Sequence, residues 1–296
     1  MKNQPKISIL ITTYNNEQDI RDCVVSAQQQ TYQNLEILIL NDGSTDRTLT
    51  ICEELRQNDP RIRIINQPHE GIGTLRNNGI DCATGDYLMF IDGDDFIAPD
   101  MLELLFHQLQ ADHSDLVCCQ AYRLDDQGTY YFYNDDQHPQ IQTGKYSPHE
   151  WLTKENYLLT FAMPWAKLYK KALFAEIEYP NQLPEDNFTT WKIFLRARAI
   201  SYLNIQDYCY RMRHNSLSES LANQMQIITN CLTAKEERIQ FYHLLKLSTA
   251  AQQIAYKNYD LPKAVRTTTQ AGATTQLQNS LWKQTILQKY GESRKE

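Results

Sequence analysis

Tyr87-Leu88-Met89-Phe90-Ile91-Asp92-Gly93-Asp94-Asp95 carries five apolar residues straight into three carboxylates within four positions. An apolar run without alternation reads as a strand buried on both faces. In open α/β sheets, ligands gather at the carboxyl ends of such strands. Carboxylates crowded there repel one another and are costly to desolvate without a positive partner. A divalent cation is the simplest partner, and oxygen ligands of this kind suit Mg²⁺, Mn²⁺ or Ca²⁺. The plainer alternative is a solvated acidic turn ahead of the helix that Pro99 and Asp100 open.

Upstream, the chain alternates. Ile7–Ile11, Leu35–Leu40 and Arg61–Asn66 read as strands. Between them, Ile20, Val24 and Ala27 mark one helix, and Thr48, Ile51, Cys52 and Leu55 mark a second, capped by Ser44 or Thr45. A third helix spans Gly71 to Ala83, ahead of the Tyr87–Ile91 strand. Strand–helix alternation requires parallel pairing with right-handed crossovers. The polar loops Tyr14-Asn15-Asn16, Asn41-Asp42, Gln67-Pro68-His69 and Asp92–Asp95 then converge on one sheet edge.

With 296 residues, the chain holds one large α/β domain plus an addition, or two modest domains. A formal net charge of -7 gives no sign of bulk nucleic-acid binding. No stretch approaches the roughly 18 apolar residues that span a bilayer, and the short polar Met1–Lys6 reads as neither signal peptide nor anchor. The seven cysteines show no metal-binding spacing and suit small buried positions in a reducing cytosol.

The loop chemistry narrows the ligand. Asp42 can accept from an imide N–H such as that of uracil, or form a turn ahead of Gly43. Tyr14 suits stacking on a base or plain packing. Arg76 presents a planar fork that fits carboxylates and phosphates alike.

Downstream, Pro99–Gln110 reads as a helix and Leu116–Tyr122 as a strand. Asp125-Asp126-Gln127-Gly128 reads as a turn between two aromatic-rich runs. Phe161–Lys171 brings Trp165 and Lys167 together, and Leu183–Phe188 sets Glu185 and Asp186 before an amphipathic helix. Tyr208–Ser218 clusters Arg211, Arg213, His214 and Ser216. From about Leu221, glycine nearly vanishes and helical patterning continues to the end.

Ile7–Asn16, Leu40–Asp46, Gly73–Asn77 and Tyr87–Asp95, in this order and spacing, resemble the inverting glycosyltransferases of family 2. Leu75 stands where most members have Ala. The resemblance implies the GT-A fold, a Rossmann-like α/β arrangement with a mostly parallel sheet. Asp92-Gly93-Asp94 is similar to that family's DxD motif. By this resemblance Asp42 takes the base of a nucleotide sugar, with Thr12, Tyr14, Asn15 and Glu17 beside it. Asp92 and Gly93 face the ribose and sugar, Arg76 lies near the donor, and Asp94 binds Mn²⁺ or Mg²⁺ with His214 as a further candidate. Arg211, Arg213 and Ser216 belong to a loop over the phosphates that orders when donor binds. Glu185, Trp165 and Lys167 line the acceptor side, and Asp186 is the base.

These expectations give a catalytic domain over residues 1–220 and a helical appendage over 221–296, serving acceptor recognition, a homodimer or a partner transferase. The expected reaction moves a sugar from a nucleotide diphosphate, UDP by resemblance, to a glycan, lipid-linked or glycoprotein acceptor. The expected location is the cytoplasm, with the inner membrane face as a peripheral site. A haloacid-dehalogenase phosphatase also spaces aspartates by one residue, but after its first strand rather than its fourth. The second alternative is a non-catalytic, transferase-like subunit that binds nucleotide sugar or a partner enzyme.

Overall fold

The computed structural model describes residues 4–132, 141–152, 154, 160–212 and 221–244. Its first elements are β1 (Ile7–Thr13), α1 (Ile20–Gln28), β2 (Leu35–Asn41), α2 (Thr48–Asn58), β3 (Ile62–Asn66), α3 (Ile72–Cys82) and β4 (Tyr87–Asp92). β5 (Phe96–Ile97), α4 (Met101–Asp112), β6 (Leu116–Leu124), β7 (Tyr130–Phe132), β8 (Gly144–Tyr146) and the short α5 (Pro148–Leu152) follow. β9 (Lys167–Lys170), α6 (Asp186–Arg196), β10 (Ile200–Arg211) and α7 (Leu221–Leu244) complete the described elements.

The sheet runs β3-β2-β1-β4-β9-β6-β10-β5, with β7 on β6 and β8 on β10. The first four strands are parallel, as alternation requires. Their order reverses between β1 and β4, so a crevice opens beyond Thr13 and Asp92. β9 is antiparallel to both neighbours and joins the parallel half to β6 and β10. The expected α/β architecture with a helix-flanked central sheet is present, and the sheet is mixed, with four parallel and five antiparallel strand pairs.

Both faces of the parallel half are dry. Ile9, Ile11, Ile37, Ile39, Met89 and Ile91 face α1, α2 and α4, while Leu10, Leu38, Leu40, Leu88 and Phe90 face α3 and α6. Alternate residues point to opposite sides, so an unbroken apolar run supplies two cores at once. Each such side chain contributes about 1.5–3 kcal/mol by leaving water.

Two local features differ from the sequence expectation. The α2 N-terminus is capped by Asp46, whose carboxylate accepts the Thr48 N–H at 2.9 Å, rather than by Ser44 or Thr45. Ser44 is occupied elsewhere, donating to Asn41 and accepting from the Asn15 N–H. The helical region also starts within the first compact unit. α7 packs on α6 through Trp191 and Tyr242, rings edge to face at 6.0 Å, and through Lys192 and Glu237 at 2.7 Å. The Asp125 turn is present, with Gly128 at φ +79° and β7 pairing back on β6.

Candidate active site

Four segments meet where β1 and β4 part. The first is the turn after β4. Gly93 donates its N–H to the Thr12 carbonyl at 2.8 Å, and a Cβ there would lie 2.9 Å from that oxygen. Only glycine allows this approach, which brings Asp92 and Asp94 to the crevice. The Thr12 hydroxyl donates to Asp92 at 3.0 Å. Burial and the charge of Asp92 raise Asp94 to about 6. Asp95 turns inward, where it accepts from the Tyr208 hydroxyl at 2.6 Å and the Arg211 N–H at 2.9 Å. Burial and its two aspartate neighbours hold it well above the usual carboxylate range.

The second segment is α3, which carries Arg76. The guanidinium is 2% exposed, with Nη2 on Asp92 at 3.0 Å and Nη1 on Glu185. Its Nε is buried without a hydrogen-bond partner among the described residues. One cation thus joins the carboxylate at the end of β4 to the one at the start of α6.

The third segment is the approach to α6. Asn77 and the Tyr179 backbone exchange two hydrogen bonds, both at 2.9 Å, and Asn181 donates to the Glu70 carbonyl. A Cβ at Gly73 would collide with the Pro180 carbonyl at 2.2 Å, so glycine lets α3 lie against this segment. From α7, Asn230 donates to the Leu183 carbonyl at 2.7 Å. Glu185 and Asp186 are thereby held from two sides, and both are buried. Burial raises Asp186 to about 6, against the opposing pull of Arg76. A carboxylate near that value is suited to take a proton at neutral pH.

The fourth segment is the pair of loops after β2 and β3. Asp42 is almost fully buried. Its Oδ1 accepts from Gln67 Nε2 and the Glu70 N–H, each at 3.0 Å. Its Oδ2 accepts from the Gly71 N–H at 3.1 Å and faces His69 Nδ1 at 2.8 Å. The Tyr14 ring stacks on His69 with centroids 4.2 Å apart.

Arg76, Asp92, Gly93, Asp94, Glu185 and Asp186 are therefore the expected residues that the fold brings together. Others are engaged differently. Asn15 accepts from the Thr45 N–H at 2.8 Å and Glu17 from the Arg47 N–H at 3.0 Å, so both lace the first loop to the second. Lys167 is fully buried and donates to the Thr160, Met163 and Trp165 carbonyls, so its ammonium holds a turn instead of lining a pocket. Trp165 is buried between β-strands and stacks on Tyr208 at 4.6 Å. Arg211 pairs with Asp19 and with Asp22 at 2.8 Å, which ties β10 to the start of α1. Arg213, His214 and Ser216 lie outside the described residues.

Sequence reasoning gave no individual role to His69, Asn77, Asp95 or Tyr208. Asp95 carried a signal, being a third carboxylate directly before the apolar Phe96-Ile97. Tyr208 carried none, because its partner is more than a hundred positions away.

The oxygen-only set of Asp92 and Asp94 fits a hard divalent cation. Among the described residues no group of three or more His, Cys, Asp or Glu forms a ready cage. Two carboxylates that lack a full cage match a cation completed by a ligand's phosphates, as Mg²⁺ commonly is.

A family model described as glycosyl transferase family 2 matches residues 8–178. Glycosyltransferase GlyA of Streptococcus pneumoniae serotype 4 is 30% identical over 282 residues, which is 86% of this chain and 40% of GlyA. Glycosyltransferase GlyG of the same organism is 31% identical over 263 residues, 81% of this chain and 86% of GlyG. The chain thus spans less than half of one relative and most of the other. The crystal structure of S. aureus TarS 1-349 in complex with UDP-GlcNAc superimposes with a TM-score of 0.61 at 23% identity, covering 78% of this chain and 66% of that one. At that identity the likeness concerns the fold.

Proposed function

Because the chain belongs to glycosyl transferase family 2, we propose that it is an inverting glycosyltransferase that takes its sugar from a UDP-sugar. The observation that carries the reading is Arg76, buried between Asp92 and Glu185. It couples the strand end where a donor diphosphate fits to the helix start where an acceptor hydroxyl is deprotonated.

In this reading Asp186 takes the proton from the acceptor hydroxyl as that oxygen attacks the anomeric carbon. The bond from that carbon to the diphosphate oxygen breaks with its electron pair, and the nucleoside diphosphate leaves with the configuration inverted. Asp94, with Asp92, would hold Mn²⁺ or Mg²⁺, which when bound neutralises charge on the leaving diphosphate. Arg76 keeps Asp92 and Glu185 in register. The loops after β1, β2 and β3 form the nucleoside wall.

The acceptor is a saccharide, lipid-linked or glycoprotein hydroxyl in bacterial surface-glycan assembly, with the chain in the cytoplasm. No helix among the described residues is long and apolar enough to cross a membrane. Residues beyond α7 are the segment left for acceptor recognition or a partner transferase. A thermal-shift panel of UDP-, GDP-, dTDP- and ADP-sugars, with MnCl₂ and with chelator, tests the reading. A donor at about 100 times its Kd stabilises the native state by roughly 2.7 kcal/mol. The expected result is a metal-dependent shift with a UDP-sugar. No shift with any donor, from folded protein, favours the non-catalytic alternative.

A further inference from the structure

One face of α7 is covered. Asn230, Ala234, Arg238 and Tyr242 recur at every fourth residue and are all buried, as one side of a helix. The far end of that face is aromatic, with Tyr242 against Trp191. The near end is polar and lies beside the start of α6. Cys231 Sγ accepts from Asn187 Nδ2 at 3.5 Å, and Asn230 Nδ2 donates to the Leu183 carbonyl at 2.7 Å. Packing alone would be served better by a leucine at this position, which has no polar group to desolvate.

The Asn230 amide has one consistent orientation. A carbonyl oxygen only accepts, so the amide turns its NH₂ to Leu183. Its Oδ1 then accepts from Gln226 Nε2 at 2.9 Å, one turn earlier on the same helix. Both ends of the amide are engaged, and what it holds is the run into Asp186. Leu183 stands three residues before Asp186, and Pro184 between them fixes one backbone dihedral. The other ties on this loop act further back, from Thr189 to the Glu178 carbonyl at 3.1 Å, from Asn77 to Tyr179 and from Asn181 to the Glu70 carbonyl. Glu185, at the N-cap of α6, makes no side-chain capping bond, and its carboxylate is turned to Arg76.

We propose that Asn230 is a positioning residue for the base, and that α7 is part of the catalytic unit. The inference rests on the transferase reading with Asp186 as base, and adds the group that sets where that carboxylate stands against the attacking oxygen. A displacement of about 1 Å in such a group costs roughly a hundredfold in rate. Asp92, on the donor side, is anchored instead from Thr12, Arg76 and Tyr208, so donor binding does not pass through Asn230.

The test follows UDP release from UDP-glucose, UDP-galactose and UDP-GlcNAc by the full chain with MnCl₂, water standing in for the acceptor. In that reaction Asp186 takes a proton from water, the water oxygen bonds the anomeric carbon, and UDP leaves with the electron pair of the broken bond. Asn230→Leu keeps the volume and loses the donor. It should lower kcat by about ten- to a hundredfold and leave KM for the UDP-sugar within twofold. Amide exchange should quicken over residues 183–188 and stay unchanged over β1 and β4, which separates a displaced turn from a loosened fold. Asn230→Ala is measured in parallel, so that a packing defect of leucine does not decide the result. Glu237→Gln breaks the contact with Lys192 on the same helix and should leave both constants within twofold. If both Asn230 variants keep the wild-type kcat, or if Glu237→Gln lowers it as much, the positioning role is overturned while the transferase reading stands. If both Asn230 variants unfold, Asn230 is a stability residue and the role is likewise overturned. If wild-type protein releases no UDP from any of the three, the transferase reading falls and the role with it.

Discussion

Tyr208 donates its hydroxyl proton to Asp95 at 2.6 Å, and the same oxygen accepts the Asp92 N–H at 3.2 Å. One phenol on β10 therefore sets the shape of the turn that carries Asp92 and Asp94. The geometry of the acidic cluster is governed from a strand far along the chain.

Tyr208→Phe removes that hub and leaves a buried carboxylate oxygen and a backbone N–H without their partner. The expected cost is about 1–3 kcal/mol, read from urea denaturation. Mn²⁺ affinity should fall with it. A variant as stable as wild type would show that the turn holds itself.

Asp186→Asn keeps the volume and removes the base. Transfer should fall by about 10²–10⁴-fold, while UDP-sugar affinity stays within twofold by calorimetry. In wild type, turnover should rise with pH through about 6, where Asp186 loses its proton. A variant that retains near-normal transfer assigns the base to another group.

Asp94 and Asp186, both raised to about 6, also tie stability to pH. Between about pH 4 and 6 the folded chain keeps protons that the unfolded chain has released. The stability they confer is complete below about pH 4 and is lost as pH rises through 6. A cation on Asp94 offsets that loss only where the carboxylate is free of its proton. Mn²⁺ should therefore raise the melting temperature at pH 7.5 and much less at pH 5. Equal shifts at both values, by calorimetry with and without chelator, would contradict the assignment.

Lys167→Met separates a structural lysine from an acceptor ligand. It strands three backbone carbonyls, and about 1–3 kcal/mol of stability should be lost. KM for both substrates should stay within twofold. A selective rise in acceptor KM in a stable variant would restore Lys167 to the acceptor side.

The parallel half was legible because its strands are unbroken apolar runs and its helices carry a clear face. β9 was not, since Lys167-Leu168-Tyr169-Lys170 has a lysine at each end and reads as surface. It is interior because Lys167 meets carbonyls and Lys170 meets Asp115 at 2.6 Å. Within the site, Asp92, Arg76, Glu185 and Asp186 were legible by type and order. The pairings that Asn15, Glu17 and Arg211 make were not. A polar side chain serves a ligand or a neighbouring loop equally well, and the Asp19 and Asp22 that engage Arg211 lie 192 and 189 positions away.

The place of β9 has a consequence during synthesis. Until Lys167–Lys170 and Trp165 are made, β4 has only β1 beside it and offers a bare row of amides along Tyr87–Phe90. At roughly 5–20 residues per second of translation, that row waits several seconds for its partner. An all-apolar ribbon with an open edge is the kind of segment that recruits other nascent chains. The growing polypeptide is thus vulnerable to aggregation when the Asp92–Asp95 turn has just emerged, and a chaperone that shields β4 in that interval should raise the yield of folded protein.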